Sequence, residues 1–231
     1  MSIETYLTMA KTQLEEEASR WSLENLDPVV GCYQWHNAWP DYDYYLFKNL
    51  NTKDLVALEY GCGPGRNIIR FSDRFKRVDG VDIAENNIYK ARINISHHLP
   101  NSNSNLYICD GKSIPLERNS YDVIFSVICL QHIACYDIRR LIFQDVFRVL
   151  KPGGHFCFQM GFGGYISQVA NYYDNHFFAA RTNSGFDVMF DNENYLKTDL
   201  ANIGFKNYMS DIRPVGPGDG HRNWIWVQVQ K

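Results

Sequence analysis

Leu58-Glu59-Tyr60-Gly61-Cys62-Gly63-Pro64-Gly65-Arg66 gathers an acid, three alternating glycines and a base in one short stretch. A Cβ at these glycines would block both a tight turn and close approach of a ligand to the backbone, so the stretch suits a nucleotide-like molecule. Three further short runs bear polar groups after apolar residues: Gly80-Val81-Asp82, Cys109-Asp110-Gly111 and Ser126-Val127-Ile128. Proton transfer near neutral pH points to histidine. His132 follows an apolar run, His36 lies in an aromatic segment, His176 in an irregular stretch and His221 just before the last apolar run. His97 and His98 end a helical pattern, where a cation is favourable at the helix C-terminus.

These groups need elements to hold them. Residues 2 to 18 show helical spacing through Ile3, Tyr6, Leu7, Ala10 and Leu14. Tyr33 to Phe47 is dense in aromatics, and Pro40 is expected to interrupt any helix there. From Leu55 a strand, turn, helix unit repeats. Strands are expected at Leu55 to Tyr60, Val78 to Asp82, Leu106 to Asp110, Tyr121 to Cys129 and His155 to Met160. Tyr121 to Cys129 is nearly all apolar, as a strand covered on both faces should be. Lys151-Pro152-Gly153-Gly154 punctuates the helix after it. Such alternation implies an α/β fold, a parallel sheet with helices on both faces. Gly161 to Asn192 then loses its period. A helix resumes near Glu193 to Ile203, and two last strands, Phe205 to Ile212 and Asn223 to Val229, are close enough for an antiparallel pair. The polar tips therefore fall at the carboxyl ends of the first four strands, where open α/β sheets bind ligands.

Composition narrows the function. The 231 residues suit one α/β domain with additions. The formal net charge is -3 and no Lys/Arg run occurs, which weighs against a nucleic-acid partner. The most apolar run, Val123 to Leu130, is strand-sized, and no membrane association is expected. Met1 to Thr5 lacks the basic start and apolar core of a signal peptide. The six cysteines form no Cys-x-x-Cys pair, so reduced, mostly buried thiols in a cytoplasmic protein are expected, with no metal site.

Taken in order, Glu59 to Gly65, Gly80-Val81-Asp82-Ile83, Cys109-Asp110-Gly111, Tyr121 to Ser126 and Arg148 to Gly154 make the chain resemble the class I S-adenosylmethionine-dependent methyltransferases. The likeness covers about Leu55 to Met160. It implies a Rossmann-like seven-stranded sheet of order 3-2-1-4-5-7-6, mostly parallel, with strand 7 antiparallel. It implies S-adenosyl-L-methionine as cofactor and S-adenosyl-L-homocysteine as product. Residues 1–50 are then an N-terminal helix and an aromatic lid or cap. Residues 51–231 form the cofactor-binding domain, with an insert at 161–192.

The resemblance also implies roles. The backbone of Gly61, Cys62 and Gly63 approaches the methionine part. Glu59, Arg66 or backbone groups meet its ammonium and carboxylate, and the sequence leaves open which. Asp82, a two-oxygen acceptor, takes both ribose hydroxyls. Ile83 packs on adenine, Asp110 accepts from the adenine amino group beside the Gly111 amide, and Ser126 and Val127 border the sulfonium. Each acid has a structural alternative: Glu59 bonding its own turn, Asp82 capping a helix, Asp110 ordering the turn before Gly111. Asp122 is expected to order the entry to its strand.

Methyl transfer from a sulfonium is an in-line displacement, so the protein mainly aligns the reactants and keeps the pocket dry. The acceptor is expected to be a small molecule. His132 is the candidate base for a hydroxyl on a sugar or polar metabolite, and Trp35, His36, Tyr165, His176 and His221 are candidate substrate contacts. Methylation of a small-molecule or protein nitrogen stays open. So do a nicotinamide oxidoreductase, another user of the same cofactor and a non-catalytic nucleotide-binding partner subunit.

Overall fold

Five apolar runs become parallel neighbours: β1 (Val56–Tyr60), β2 (Arg77–Asp82), β3 (Leu106–Ile108), β4 (Tyr121–Ser126) and β5 (Leu150–Gly164). The protein is seen as a computed structural model that describes residues 2–19, 40–164, 169–175, 187–216 and 221–231. Two short strands follow, β6 (Val169–Asn171) and β7 (Asp187–Met189), then β8 (Lys206–Pro214) and β9 (His221–Gln230). The main sheet has the order β3-β2-β1-β4-β5-β9-β8, and β9 runs antiparallel to both its neighbours. This is the expected topology, with β8 and β9 as its last two strands. The 161–192 stretch adds what periodicity did not reveal: β6 and β7 pair in parallel as a separate small sheet.

Helices cover both faces. They are α1 (Ile3–Ser19), α2 (Pro40–Tyr45), α3 (Arg66–Phe71), α4 (Glu85–His98), α5 (Tyr136–Val149) and α6 (Asn194–Ile203). Pro40 opens α2 instead of breaking a helix, as its fixed φ and missing N–H allow at a first helical position. Tyr42, Leu46 and Phe47 are buried in the core, and the rest of the expected aromatic lid, residues 33–39, lies outside the described residues. Phe47 meets Phe71, Phe75 and Phe125 edge-on at 5.1, 5.0 and 5.3 Å. Each such pair contributes about 0.5–1.5 kcal/mol beyond the area it buries.

Two strand ends differ from the periodic reading. β4 stops at Ser126 because Ile128 adopts a left-handed φ of 48°, which no strand accommodates. β5 starts at Leu150 because β9 and the terminal Lys231 supply partners: Gly153 N donates to Lys231 O at 3.0 Å and Lys231 N to Gly154 O at 2.9 Å. Cys109 and Cys129 therefore lie just beyond strands, and Cys157 lies within one. Asp122 orders the sheet's entry edge as expected, accepting from Val56 N at 3.0 Å and Lys151 Nζ at 2.8 Å.

Candidate functional site

At the carboxyl end of β1 the chain turns under constraint. Gly61 N and Cys62 N donate to Val81 O at 2.8 and 3.1 Å, tying the turn to the tip of β2. Gly61 has a φ of +74°, and a Cβ there would lie 2.3 Å from Cys129 Sγ. Glycine is thus required twice, by the backbone and by the neighbour. Gly61→Ala is expected to destabilise the fold by about 1–3 kcal/mol, because the side chain forces Cys129 aside in an already strained conformation. Urea unfolding measures this, and a midpoint like wild type would refute it. The Cys62 thiol is itself buried against Gly80, where a Cβ would come within 2.8 Å of the sulfur, and burial pushes its pKa well up.

Beneath the turn lies a group of buried polar atoms. Glu59 is buried and its Oε1 accepts from Asn67 Nδ2 at 2.6 Å. Among the described residues, Glu59 Oε2, Asn67 Oδ1 and Arg66 Nη1 have no hydrogen-bond partner. Buried polar atoms are rarely left so, and each such atom calls for an explanation. With Glu59 ionised, two acceptors and one donor complement an ammonium and a carboxylate, the two ends of an amino acid. Burial raises the Glu59 pKa to about 8 from its ordinary 4.5, with the Asn67 hydrogen bond and the Arg66 charge opposing it. In the free protein Glu59 therefore keeps its proton up to about pH 8, whereas the unfolded chain loses it near 4.5. Its stabilising contribution is complete below the lower value and is lost as pH rises to the upper, by at most about 1.4 kcal/mol per pH unit. Glu59→Gln is expected to flatten that slope, seen as a change of up to about 3 kcal/mol between urea unfolding at pH 5.5 and 7.5. A variant as pH-sensitive as wild type would show that Glu59 is ionised throughout.

At the tip of β2, Asp82 is buried, and burial raises its pKa. Its carboxylate accepts from Gly63 N at 2.8 Å, Ala84 N at 2.9 Å and Asn87 Nδ2 at 3.2 Å. It thus orders the glycine turn and the start of α4 together, using three of a carboxylate's roughly four acceptor positions. After β3, Asp110 Oδ1 accepts from Lys112 N at 3.0 Å, Ser113 N at 2.7 Å and Ser113 Oγ at 2.9 Å, so this oxygen orders its own turn. Gly111 follows with a φ of +84°, and a Cβ there would lie 2.7 Å from Ile83 Cδ1 and 2.9 Å from Leu7 Cδ2. Leu7 brings α1 over this corner. Glu15 of the same helix accepts from Glu85 N and, at 2.9 Å, from Asn86 N, placing a carboxylate on the N-terminus of α4. After β4, Ser126 is buried and donates to Tyr60 O at 2.9 Å, so its hydroxyl ties β1 to β4; Val127 is buried beside it.

Beyond Val127 the chain makes a 3-10 turn, Leu130–His132. Buried Gln159 of β5 holds this loop, accepting from Ile128 N at 3.0 Å and donating to Gln131 Oε1 at 3.1 Å. His132 is therefore one turn past Cys129, the residue against Gly61. Its side chain is 47% exposed, and Nδ1 lies 2.6 Å from Asp187 Oδ1. His221, at the start of β9, reaches the other oxygen, with Nε2 at 3.6 Å from Oδ2. The structure thus brings His132 and His221 to one carboxylate. Asp187 was missed by sequence reasoning, because it sits in the stretch without a period and carries no motif. Trp35, His36, Tyr165 and His176 lie outside the described residues. Tyr172 is buried with its hydroxyl donating to Asp199 Oδ2 at 2.9 Å, and Tyr173 is exposed beside it.

A sequence profile described as a methyltransferase domain matches residues 57–154. Phosphoethanolamine N-methyltransferase 2 of Caenorhabditis elegans is 33% identical over 114 residues, 49% of this chain and 25% of that protein. The chain spans less than half the length of the curated relatives it matches. The crystal structure of PH0226 from Pyrococcus horikoshii has the same fold, with a TM-score of 0.66 at 20% identity over 93% of this chain and 98% of that one. So does Haemonchus contortus phosphoethanolamine N-methyltransferase 2 in complex with phosphomonomethylethanolamine and S-adenosylhomocysteine, with a TM-score of 0.65 at 18% identity, covering 94% and 60%. No described helix is long and apolar enough to cross a membrane.

Proposed function

We propose, from the premise that residues 57–154 are a methyltransferase domain, that the chain uses S-adenosylmethionine to methylate a hydroxyl of a small polar molecule. The cofactor supplies an activated methyl group and a neutral thioether as leaving group. The residues present fit it. Glu59 Oε2 and Asn67 Oδ1 would take its ammonium and Arg66 Nη1 its carboxylate, which would give all three orphaned atoms a partner. Gly61, Cys62 and Gly63 lend backbone to the same end. Asp82 serves the ribose with the acceptor capacity it has left. Ile83 and Gly111 form the adenine slot under Leu7, and Asp110 has its second oxygen for the amino group. Ser126 and Val127 act by fixing the strand end that faces the sulfonium.

The observation that carries the acceptor reading is the half-exposed His132 one turn beyond Cys129. A hydroxyl must shed its proton as it attacks, and a neutral imidazole at that place receives it. A protonated amine has the same need, and the relative named for phosphoethanolamine favours nitrogen methylation as the second reading. The net charge of -3 supports a small acceptor over nucleic acid. Described cysteines that are all free suit a reducing compartment such as the cytoplasm.

Calorimetry with S-adenosylhomocysteine, followed by mass spectrometry of reactions with sugars, polyols and amines, tests the proposal. Binding and O-methylated products are expected. Products methylated only on nitrogen would replace the first reading by the second. Binding without turnover on any acceptor would leave a nucleotide-binding subunit.

A further inference from the structure

We infer that Asp187 is the positioning residue of the acceptor base, fixing His132 so that its free ring nitrogen faces the acceptor, with His221 as the anchor behind it. The inference deepens the proposed function and rests on its reading of His132.

Three side chains define the arrangement. His132 Nδ1 is 2.6 Å from Asp187 Oδ1, and Oδ2 of the same carboxylate is 3.6 Å from His221 Nε2. Exposure falls along the series, from 47% for the His132 side chain through 10% for Asp187 to 2% for His221. A carboxylate only accepts, so the hydrogen of a neutral His132 sits on Nδ1 and the lone pair on Nε2. The more exposed ring thus offers a base, and the more buried groups hold it.

The scaffold is built for this. A Cβ on Gly161 would lie 2.1 Å from the His221 ring, so the glycine makes room for a histidine beneath Asp187. His221 belongs to the main sheet through its pairing with Gly164, whereas Asp187 belongs to the small β6–β7 sheet. The carboxylate is hydrogen-bonded to the loop after β4 through His132 and faces His221 of the rigid strand at 3.6 Å, beyond hydrogen-bond distance. Buried Arg139 of α5 fastens the loop after β4 to the segment after β6, donating to Ile133 O next to His132 and to Tyr172 O. Asn175, farther along the segment after β6, is tied to the start of α5, accepting from Asp137 N at 3.0 Å and donating to Asp137 Oδ2 at 2.8 Å.

The chemistry balances with these groups. As the acceptor oxygen forms its bond to the methyl carbon, the carbon–sulfur electron pair stays on sulfur and the hydroxyl proton passes to His132 Nε2. The resulting imidazolium is held against Asp187 and later releases its proton to water. Asp187 neither bonds the acceptor nor takes the proton. It selects the tautomer and stabilises the charge.

Nitrogen-15 NMR of the histidine rings tests the inference, using the full chain loaded with S-adenosylhomocysteine. Wild type should show His132 with hydrogen on Nδ1 and a bare Nε2. Asp187→Asn should lose that preference, and modification of His132 Nε2 by diethyl pyrocarbonate should slow about tenfold, the population change expected from losing one charge-assisted hydrogen bond. His221→Gln removes the outer contact to Asp187, should slow modification about threefold, and decides the matter if Asp187→Asn does not fold. Wild-type His132 bearing its hydrogen on Nε2, or ring signals and modification rates unchanged in every folded variant, would overturn the inference. Failure of the underlying reading looks different: His132→Gln would transfer methyl groups as well as wild type while the tautomer result still held.

Discussion

Asp82→Asn is expected to weaken binding of S-adenosylhomocysteine about 100-fold or more. The carboxylate holds Gly63 N, Ala84 N and Asn87 Nδ2 at once, in a place hidden from water. An asparagine there keeps one acceptor oxygen and turns an NH2 group toward backbone donors, so at least one of them is left without a partner. A buried donor so abandoned destabilises the fold by about 1–3 kcal/mol, and loss of a charge-assisted bond to a ribose hydroxyl removes about 1.5–3 kcal/mol of affinity. About 2.7 kcal/mol of lost affinity is already 100-fold. The glycine turn hangs on the same carboxylate through Gly63, so the amino-acid end of the cofactor loses its seat along with the ribose. Calorimetric titration of folded protein measures the effect. Affinity within about threefold of wild type would mean that Asp82 serves the fold alone.

The second large effect belongs to His132. His132→Gln is expected to lower kcat by about 100- to 10,000-fold, the usual contribution of a positioned general base. Affinity for S-adenosylhomocysteine should stay within about twofold, because the ring lies beyond Cys129 and outside the atoms proposed to hold the cofactor. Glutamine preserves volume and a polar end but accepts no proton near neutral pH. Stability should change little, since the side chain is half exposed and the loop is held independently by Gln159. Single-turnover methylation with the best acceptor from the panel measures kcat. A variant with wild-type turnover would make His132 a bystander and leave the acceptor to ionise unaided.

Much of the architecture around the strand tips is legible in the sequence. The strands around β1, β2 and β4 announce themselves as short apolar runs, and glycines and acids at their tips mark where the chain must turn. Local rules suffice there, because side-chain period and left-handed backbone act within a few residues. The same rules failed at Pro40, which reads as a breaker but opens α2, and along Lys151 to Gly154, which reads as punctuation but extends β5. In both places a distant partner decided: the aromatic core under Tyr42 and Phe47 in one, Lys231 and β9 in the other.

The sequence by itself determined the α/β alternation, the glycine turn and the acids at the strand tips, because each is dictated by residues adjacent along the chain. Tertiary structure alone decided which oxygens those acids still have free and which carboxylate the histidines share. Asp187 lies 55 positions from His132 and has no motif around it. They meet because β5, β7 and β9 pack at one end of the sheet. A hydrogen bond between groups so far apart is chosen by the packing of the whole sheet, and no window of neighbouring residues contains that information.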